Sequence, residues 1–301
     1  MDGTDVNARA HDQEAKMIRS EEVQISQGTI RYRDLGEGPA IVFVHGYLVD
    51  GRLWSETAEQ LSATHRCILP DLPMGAHRVA MNPDADLTPP GIAAVIAEFI
   101  EALGLEDVTI VGNDSGGAMS QVLVTTRPER IGRLVLTNCD THENFPPSLF
   151  KLMPPLAKLP GAMTAMGLPF RIGALRRAAF APFAKTRISP ELIDSWMEPS
   201  QSDAGIKRDT AKVTAGMNKR YTLEAAEKLA SFDRPVLFAW APEDRVFPLK
   251  YARRLADAIP DSRIETIADA KTFVSLDQPA QLAELIGAFV GTGAPAPARS
   301  A

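Results

Sequence analysis

Six short, apolar, β-branched runs punctuate the chain: AIVFVHG, HRCILPD, DVTIVGN, IGRLVLTN, RPVLFAW and SRIETIA, with helix-like stretches between several of them. Runs that are apolar at nearly every position suit strands buried on both faces. Strands alternating with helices give an α/β fold, a mostly parallel central sheet flanked by helices. The stretch PPGIAAVIAEFIEALGL shows the helical half of the rhythm, with Pro90 and Gly91 opening a helix over residues 92–103 and Gly104 closing it.

From Asp140 to about Phe232 this rhythm stops, replaced by Met- and Pro-rich amphipathic pieces. One of them, SPELIDSWMEPS, offers Ser189 as an N-cap and Pro190 at the first helical position. The expected organisation is an α/β core in residues 21–140 and 233–290, interrupted by a helical insertion at 141–232. A polar mobile arm is expected at 1–20 and a disordered Gly/Pro/Ala tail at 291–301. Met153, Met163, Met166, Met197 and Met217 of the insertion read first as packing against the core, and second as the lining of an adaptable apolar pocket.

A net charge of −6 without long like-charge runs argues against nucleic acid as the main partner. No apolar run is long enough to span a bilayer, and the N-terminal residues lack the apolar core of a secretory signal, so no membrane partner and a cytoplasmic location are expected. Cys67 and Cys139 sit beside apolar runs and read as buried free thiols. No metal-ligand spacing or cofactor motif is present, a small-molecule substrate is the expected partner, and a homodimer stays open.

The stretch VGNDSGGAMS, between the strand VTIV and a helix, carries the pattern that points to chemistry. A nucleophile on a tight strand-to-helix turn needs small residues two before and two after it. Gly112 and Gly116 meet that frame around Asp114, whereas Ser115 at the apex would put Asn113 on the crowded side. Asp114 could also be read as a simple cap of the following helix.

With these residues, the chain from about 21 to 290 resembles the α/β-hydrolase superfamily, and its Asp elbow resembles the haloalkane dehalogenase and epoxide hydrolase branch. VFVHGY resembles the motif after strand 3 whose next backbone N–H, on Tyr47, pairs with that of Ser115 as an oxyanion hole. WAPEDRVFP resembles the segment of the catalytic acid and places Asp244 in that role. The insertion stands after strand 6, where the family carries its helical cap. The resemblance implies a hydrolase in which Asp114 attacks carbon and forms an ester, which a His-activated water then cleaves.

DAKTFVSLDQPAQLAELI resembles the loop that ends in the catalytic histidine, yet Thr272 occupies the histidine's place and no histidine follows Asp244. Thr272 cannot take a proton at neutral pH, and Lys271 could do so only with a strongly lowered pKa. His77, in the loop after strand 4, and His142, after strand 6, are the candidate substitute bases, each also readable as a loop brace; His45 reads as a brace of the oxyanion loop. Tyr221 is the candidate cap proton donor for epoxide opening. Halide binding lacks its usual tryptophan, since Ser115 follows the nucleophile, and Trp54 and Trp196 read equally well as core. Two functions follow: an Asp114 hydrolase of small apolar haloalkanes, epoxides or esters, or a non-hydrolytic protein of the same fold that binds a ligand or acts as a cofactor-independent lyase or isomerase. Ser115 esterase chemistry ranks third.

Overall fold

The computed structural model describes residues 20–291. The expected arm and tail lie outside these residues, except that Ser20 opens the first strand and Gly291 closes the last helix.

Eight strands form one sheet: β1 (Ser20–Ile25), β2 (Gly28–Leu35), β3 (Ala40–Val44), β4 (Arg66–Pro70), β5 (Val108–Asp114), β6 (Ile131–Cys139), β7 (Val236–Trp240) and β8 (Ser262–Thr266). Their order is β1-β2-β4-β3-β5-β6-β7-β8, with β1 and β2 antiparallel to their neighbours and the rest parallel. The β1–β2 hairpin is absent from the apolar runs because it is an edge. In β2 the buried Ile30 and Tyr32 alternate with half-buried Thr29 and Arg31, a period-2 pattern that a search for continuous apolar runs passes over.

The core strands divide their side chains between two faces. Val42, Val44, Ile110, Leu134, Leu136 and Phe238 join the core that packs on α2 (Pro89–Ala102) and α3 (Ser115–Thr126). Ile41, Phe43, Val111, Val135 and Leu237 join the other, against α1 (Ser55–Leu61) and α12 (Pro279–Gly291). Burying a side chain such as Leu123 or Ile286 completely is worth roughly 1.5–3 kcal/mol, so these two layers supply the main stabilisation. Thr88 caps α2 by accepting from the Gly91 N–H, Pro89 and Pro90 occupy its first positions, and Gly104, at φ +63°, follows its end.

Between β6 and β7 stand six helices: α4 (Met153–Ala157), α5 (Ala162–Gly167), α6 (Gly173–Phe180), α7 (Pro190–Ser202), α8 (Ala204–Gly216) and α9 (Lys219–Leu229). They do not build a core of their own. Phe180, Ile193, Trp196 and Met197 extend one layer of the main core, and Val213 and Met217 the other. Ser189 caps α7 through the Leu192 N–H. After β7 come α10 (Leu249–Ala256) and, past β8, the single turn α11 (Val274–Asp277). Cys67 and Cys139 are buried and free.

Candidate active site

The parallel strands β3, β5, β6 and β7 end on one side, and the loops leaving those ends carry the candidate residues. At the end of β5, Asp114 has φ +52° and ψ −133°, a conformation that costs a non-glycine residue about 1–3 kcal/mol and persists only where its surroundings impose it. Three glycines show what imposes it. A Cβ on Gly112 would stand 2.6 Å from Ser120 Oγ in α3, and one on Gly116 would stand 2.2 Å from the His45 carbonyl oxygen. The second clash is with the loop after β3 and not with the helix, so the turn is squeezed from both sides. A Cβ on Gly46 would come within 2.1 Å of Asp114 Oδ2, which makes Gly46 the floor on which the carboxylate rests.

The Asp114 side chain does not cap its own helix. Instead Oδ2 accepts the Tyr47 N–H at 3.0 Å. Burial pushes the Asp114 carboxyl up to about 7, against the pull of the Tyr47 and Ser115 N–H groups and with the Asp244 charge adding to the rise. The residue nevertheless keeps an accessible edge.

The aim of the Tyr47 N–H is set by His45. Its Nε2 accepts from the Leu72 N–H at 2.8 Å, so the proton is on Nδ1, which donates to the Gly46 carbonyl at 2.8 Å. Burial lowers the His45 pKa, in keeping with a neutral ring. The Tyr47 hydroxyl turns the other way, to Thr214 Oγ1 in α8 at 2.6 Å; because Thr214 donates its own proton to the Thr210 carbonyl, Tyr47 is the donor. Tyr47 therefore joins the nucleophile turn to the inserted helices.

At the end of β7, Asp244 Oδ1 accepts from the N–H groups of Val246 and Phe247 at 2.7 and 3.2 Å, and Oδ2 accepts from the Thr272 hydroxyl at 2.8 Å. Thr272 is fully buried. Its hydroxyl takes the acid's free oxygen, the place a base would need to be oriented. Burial raises the Asp244 pKa, against these hydrogen bonds. Asn113, which the sequence offered only as an argument against Ser115, proves to be the clamp of this loop: its amide donates to the Thr272 carbonyl at 2.6 Å and to Asn138 and Thr137 of β6. Asn138 in turn holds the Ala241 N–H and carbonyl at the end of β7.

Asp140, just past β6, is a third buried carboxyl. It accepts from Ser115 Oγ at 3.1 Å, its other oxygen has no partner, and its N–H donates to the Asp114 carbonyl at 3.3 Å. Burial, then the Asp114 charge, raises its pKa well above the usual carboxylate range. An Asn-Cys-Asp sequence at the C-terminal end of an apolar parallel strand was the available signal, since that is where α/β sheets place their ligand-facing groups.

The candidate substitute bases are bonded elsewhere. Buried His77 bonds through Nε2 to Asp209 Oδ2 of α8 at 3.3 Å, while its Nδ1 accepts from the Gly75 N–H. His142 bonds to Thr141 Oγ1, stacks on Tyr251, and has its pKa pushed down to about 4 by burial and by Arg254. Neither hydrogen-bonds to Asp114, Ser115 or Asp244; the His77 bond reaches α8, whereas that of His142 goes to its chain neighbour. The Tyr221 hydroxyl oxygen accepts from the exposed Arg220 guanidinium, which leaves its own proton free to donate. The Trp196 indole donates to Asp50, and Trp54 packs against Phe43 inside the core. Met153, Met163, Met166 and Met197 line a narrow cavity of about 60 Å³ with Tyr47, Leu48 and Phe170, while Met197 and Met217 also pack into the main core, so both readings of the methionines hold in part. No group of acidic, His or Cys side chains suited to a metal ion occurs among the described residues.

Residues 39–279 match the family model described as alpha/beta hydrolase fold. The chain belongs to this family. Its relatives include an uncharacterized protein of Mycobacterium tuberculosis, 26% identical over 88% of this chain and 79% of that protein. Haloalkane dehalogenase 2 of the same organism is 26% identical over 87% of this chain and 91% of its own length. A 2-hydroxy-6-oxo-6-phenylhexa-2,4-dienoate hydrolase of Comamonas testosteroni is 25% identical over 84% and 88%. In three dimensions the chain is similar to haloalkane dehalogenase DbeA from Bradyrhizobium elkani, with a TM-score of 0.75, 18% identity, and coverage of 91% and 98%. The last likeness speaks to the fold alone.

Proposed function

We propose that this alpha/beta hydrolase fold protein uses Asp114 as a nucleophile toward a small apolar substrate of haloalkane, epoxide or ester type. The observation that supports this most is the unequal treatment of the two carboxylate oxygens: Oδ2 is held by the Tyr47 N–H at 3.0 Å and pressed against Gly46, while no side-chain or long-range hydrogen bond to Oδ1 occurs among the described residues. A nucleophile needs that asymmetry, one oxygen positioned and the other available. With a haloalkane or epoxide, the Asp114 Oδ1–carbon bond forms as the carbon–halogen or carbon–oxygen bond breaks and its electron pair leaves with the departing group. Hydrolysis of the resulting ester places negative charge on Oδ2, which the Tyr47 N–H meets, with the Ser115 N–H also favouring charge on this carboxyl group. With Thr272 on Asp244, no histidine activates the attacking water, so the ester persists or cleaves slowly.

A second reading follows from a different observation. Asp114, with its carboxyl pushed up to about 7 beside Asp140, whose carboxyl burial also raises well above the usual range, can take and return a proton near neutral pH, which suits a cofactor-independent lyase or isomerase. One experiment separates the two. Intact mass is measured after incubation with panels of haloalkanes, epoxides and activated esters, with Asp114→Asn as control, and solvent deuterium uptake into carbon acids is followed in parallel. A mass increase lost in Asp114→Asn supports the nucleophile; deuterium uptake without an adduct supports proton transfer; neither result in a folded protein contradicts both.

A further inference from the structure

The described surface is unevenly composed. Every exposed large apolar side chain among the described residues lies between residues 149 and 175, including Leu149 at 76% exposure, Leu152 at 73%, Ile172 at 58% and Leu159 at 57%. The charge is equally biased. Residues 144–190 hold seven of the chain's 32 Lys and Arg and none of its 38 Asp and Glu, so this one segment carries +7 while the remainder carries −13. Only Arg176 and Lys185 of the seven are paired, with Asp194 and with Glu243 and Asp269; Lys151, Lys158, Arg171, Arg177 and Arg187 stand exposed without an acidic partner among the described residues. Sequential spacing hid this: the cations are scattered singly along short helices, of which α4 packs on α5 and α8, and α6 on α7.

Exposed leucines flanked by cations, with no acid among them, make a surface for which water is a poor neighbour and a negatively charged apolar phase a good one. We propose that the outer face of the inserted helices, residues 148–187, docks on an anionic lipid bilayer, with the leucines at the headgroup–acyl boundary and the cations on lipid phosphates. A second copy of the chain is a worse occupant, because a two-fold contact would set one +7 face against another. A shaped protein partner would need matching pockets for aliphatic side chains scattered over three short helices, whereas a fluid bilayer accepts them without register. Beside this face lies a groove of about 760 Å³ in which Arg177, Arg187 and Lys271 surround Phe180 and Ile188, a place for a lipid phosphate over its acyl chain. The groove and the apolar face meet at α6, which carries Arg177 of the one and Leu175 of the other.

The sequence-based expectation of no membrane partner rested on the want of a spanning run, and no described helix is long and apolar enough to cross a bilayer. Surface docking requires no such helix. The inference is independent of the Asp114 chemistry, but it has a consequence for it: α4 and α5 also carry Met153, Met163 and Met166 of the cavity at Tyr47, so an apolar molecule dissolved in the bilayer would lie next to that cavity.

The test is flotation of the full chain with phosphatidylcholine vesicles containing or lacking phosphatidylglycerol, at low and high salt. The expected result is binding to the phosphatidylglycerol vesicles alone, lost at high salt and lost in the Leu149→Ser/Leu152→Ser double variant. Lys151→Gln, Arg171→Gln and Arg177→Gln should each weaken it roughly fivefold. These side chains are exposed, so circular dichroism and melting should match the parent. Failure to bind phosphatidylglycerol vesicles at low salt, or binding indifferent to these substitutions, would overturn the proposal. So would sedimentation showing a dimer that Leu149→Ser/Leu152→Ser disperses while vesicles go unbound, which would give the face to a second copy.

Discussion

The Thr272 hydroxyl donates to Asp244 Oδ2 at 2.8 Å in a buried pair. The acid thus keeps its full set of hydrogen bonds, and the loop keeps its shape, although the side chain that would use the acid is a hydroxyl and not an imidazole. A hydroxyl satisfies the carboxylate structurally while offering nothing that takes a proton at neutral pH.

Thr272→His should therefore supply what the site lacks. Imidazole is larger than the threonine it replaces and should cost about 1–3 kcal/mol in packing. In the folded variant, release of product from Asp114 should rise by about 10²-fold or more, the usual worth of a general base. Stopped-flow and steady-state rates on whichever substrate labels Asp114 measure this, and a folded variant with no gain would argue against the nucleophile reading.

Asp114 should make stability fall with rising pH. Its pKa is raised by burial to about 7, so between about pH 4 and pH 7 the folded state holds a proton that the unfolded chain has released. The loss across that window is at most about 4 kcal/mol. Asp114→Asn should flatten the slope and be more stable than the parent at pH 8, with little difference at pH 4, as read by urea unfolding at both values. Labelling of Asp114 should rise with pH around a midpoint near 7, since the ionised form attacks.

The glycines around Asp114 should leave no room for a side chain. In Gly46→Ala the new methyl would stand 2.1 Å from Asp114 Oδ2 and 2.6 Å from Asp114 Cβ, so the carboxylate must leave its place and the turn must shift with it. The variant should lose adduct formation and lose stability. In Gly116→Ala the methyl meets the carbonyl oxygens of Val44 and His45, backbone that cannot yield without breaking β3. A loss of about 3 kcal/mol or more is expected in thermal or urea unfolding.

His77→Gln should loosen the inserted helices without silencing Asp114. Burial pushes the Asp209 carboxyl up, but His77, the Met81 N–H and Arg208 together hold it below its ordinary value, so removing His77 leaves a buried acid with one partner fewer. A cost of about 1–3 kcal/mol and faster proteolysis within residues 141–232 are expected. Retained labelling would show that His77 braces the structure; its abolition in a folded variant would make His77 part of the chemistry.

Much of this protein was legible one residue at a time. The parallel sheet follows from apolar runs that need burial on both faces, and the strand–turn–helix frame at Gly112, Asp114 and Gly116 is a local steric requirement written in five consecutive positions. Even the want of a histidine after Asp244 is a property of the sequence, because no fold can move a residue that is not there. Contacts between distant segments are of another kind. Which N–H meets Asp114, which acid holds His77, and that Asn113 clamps Thr272 depend on how β3, β5, α8 and the last loop are set against one another. The inserted helices make the same point in reverse: their leucines and scattered cations read as ordinary amphipathic pieces until packing buries Trp196 and Met197 and leaves Leu149, Leu152 and Ile172 outside. Periodicity says that a helix has an apolar side, but only the tertiary structure decides whether that side meets protein.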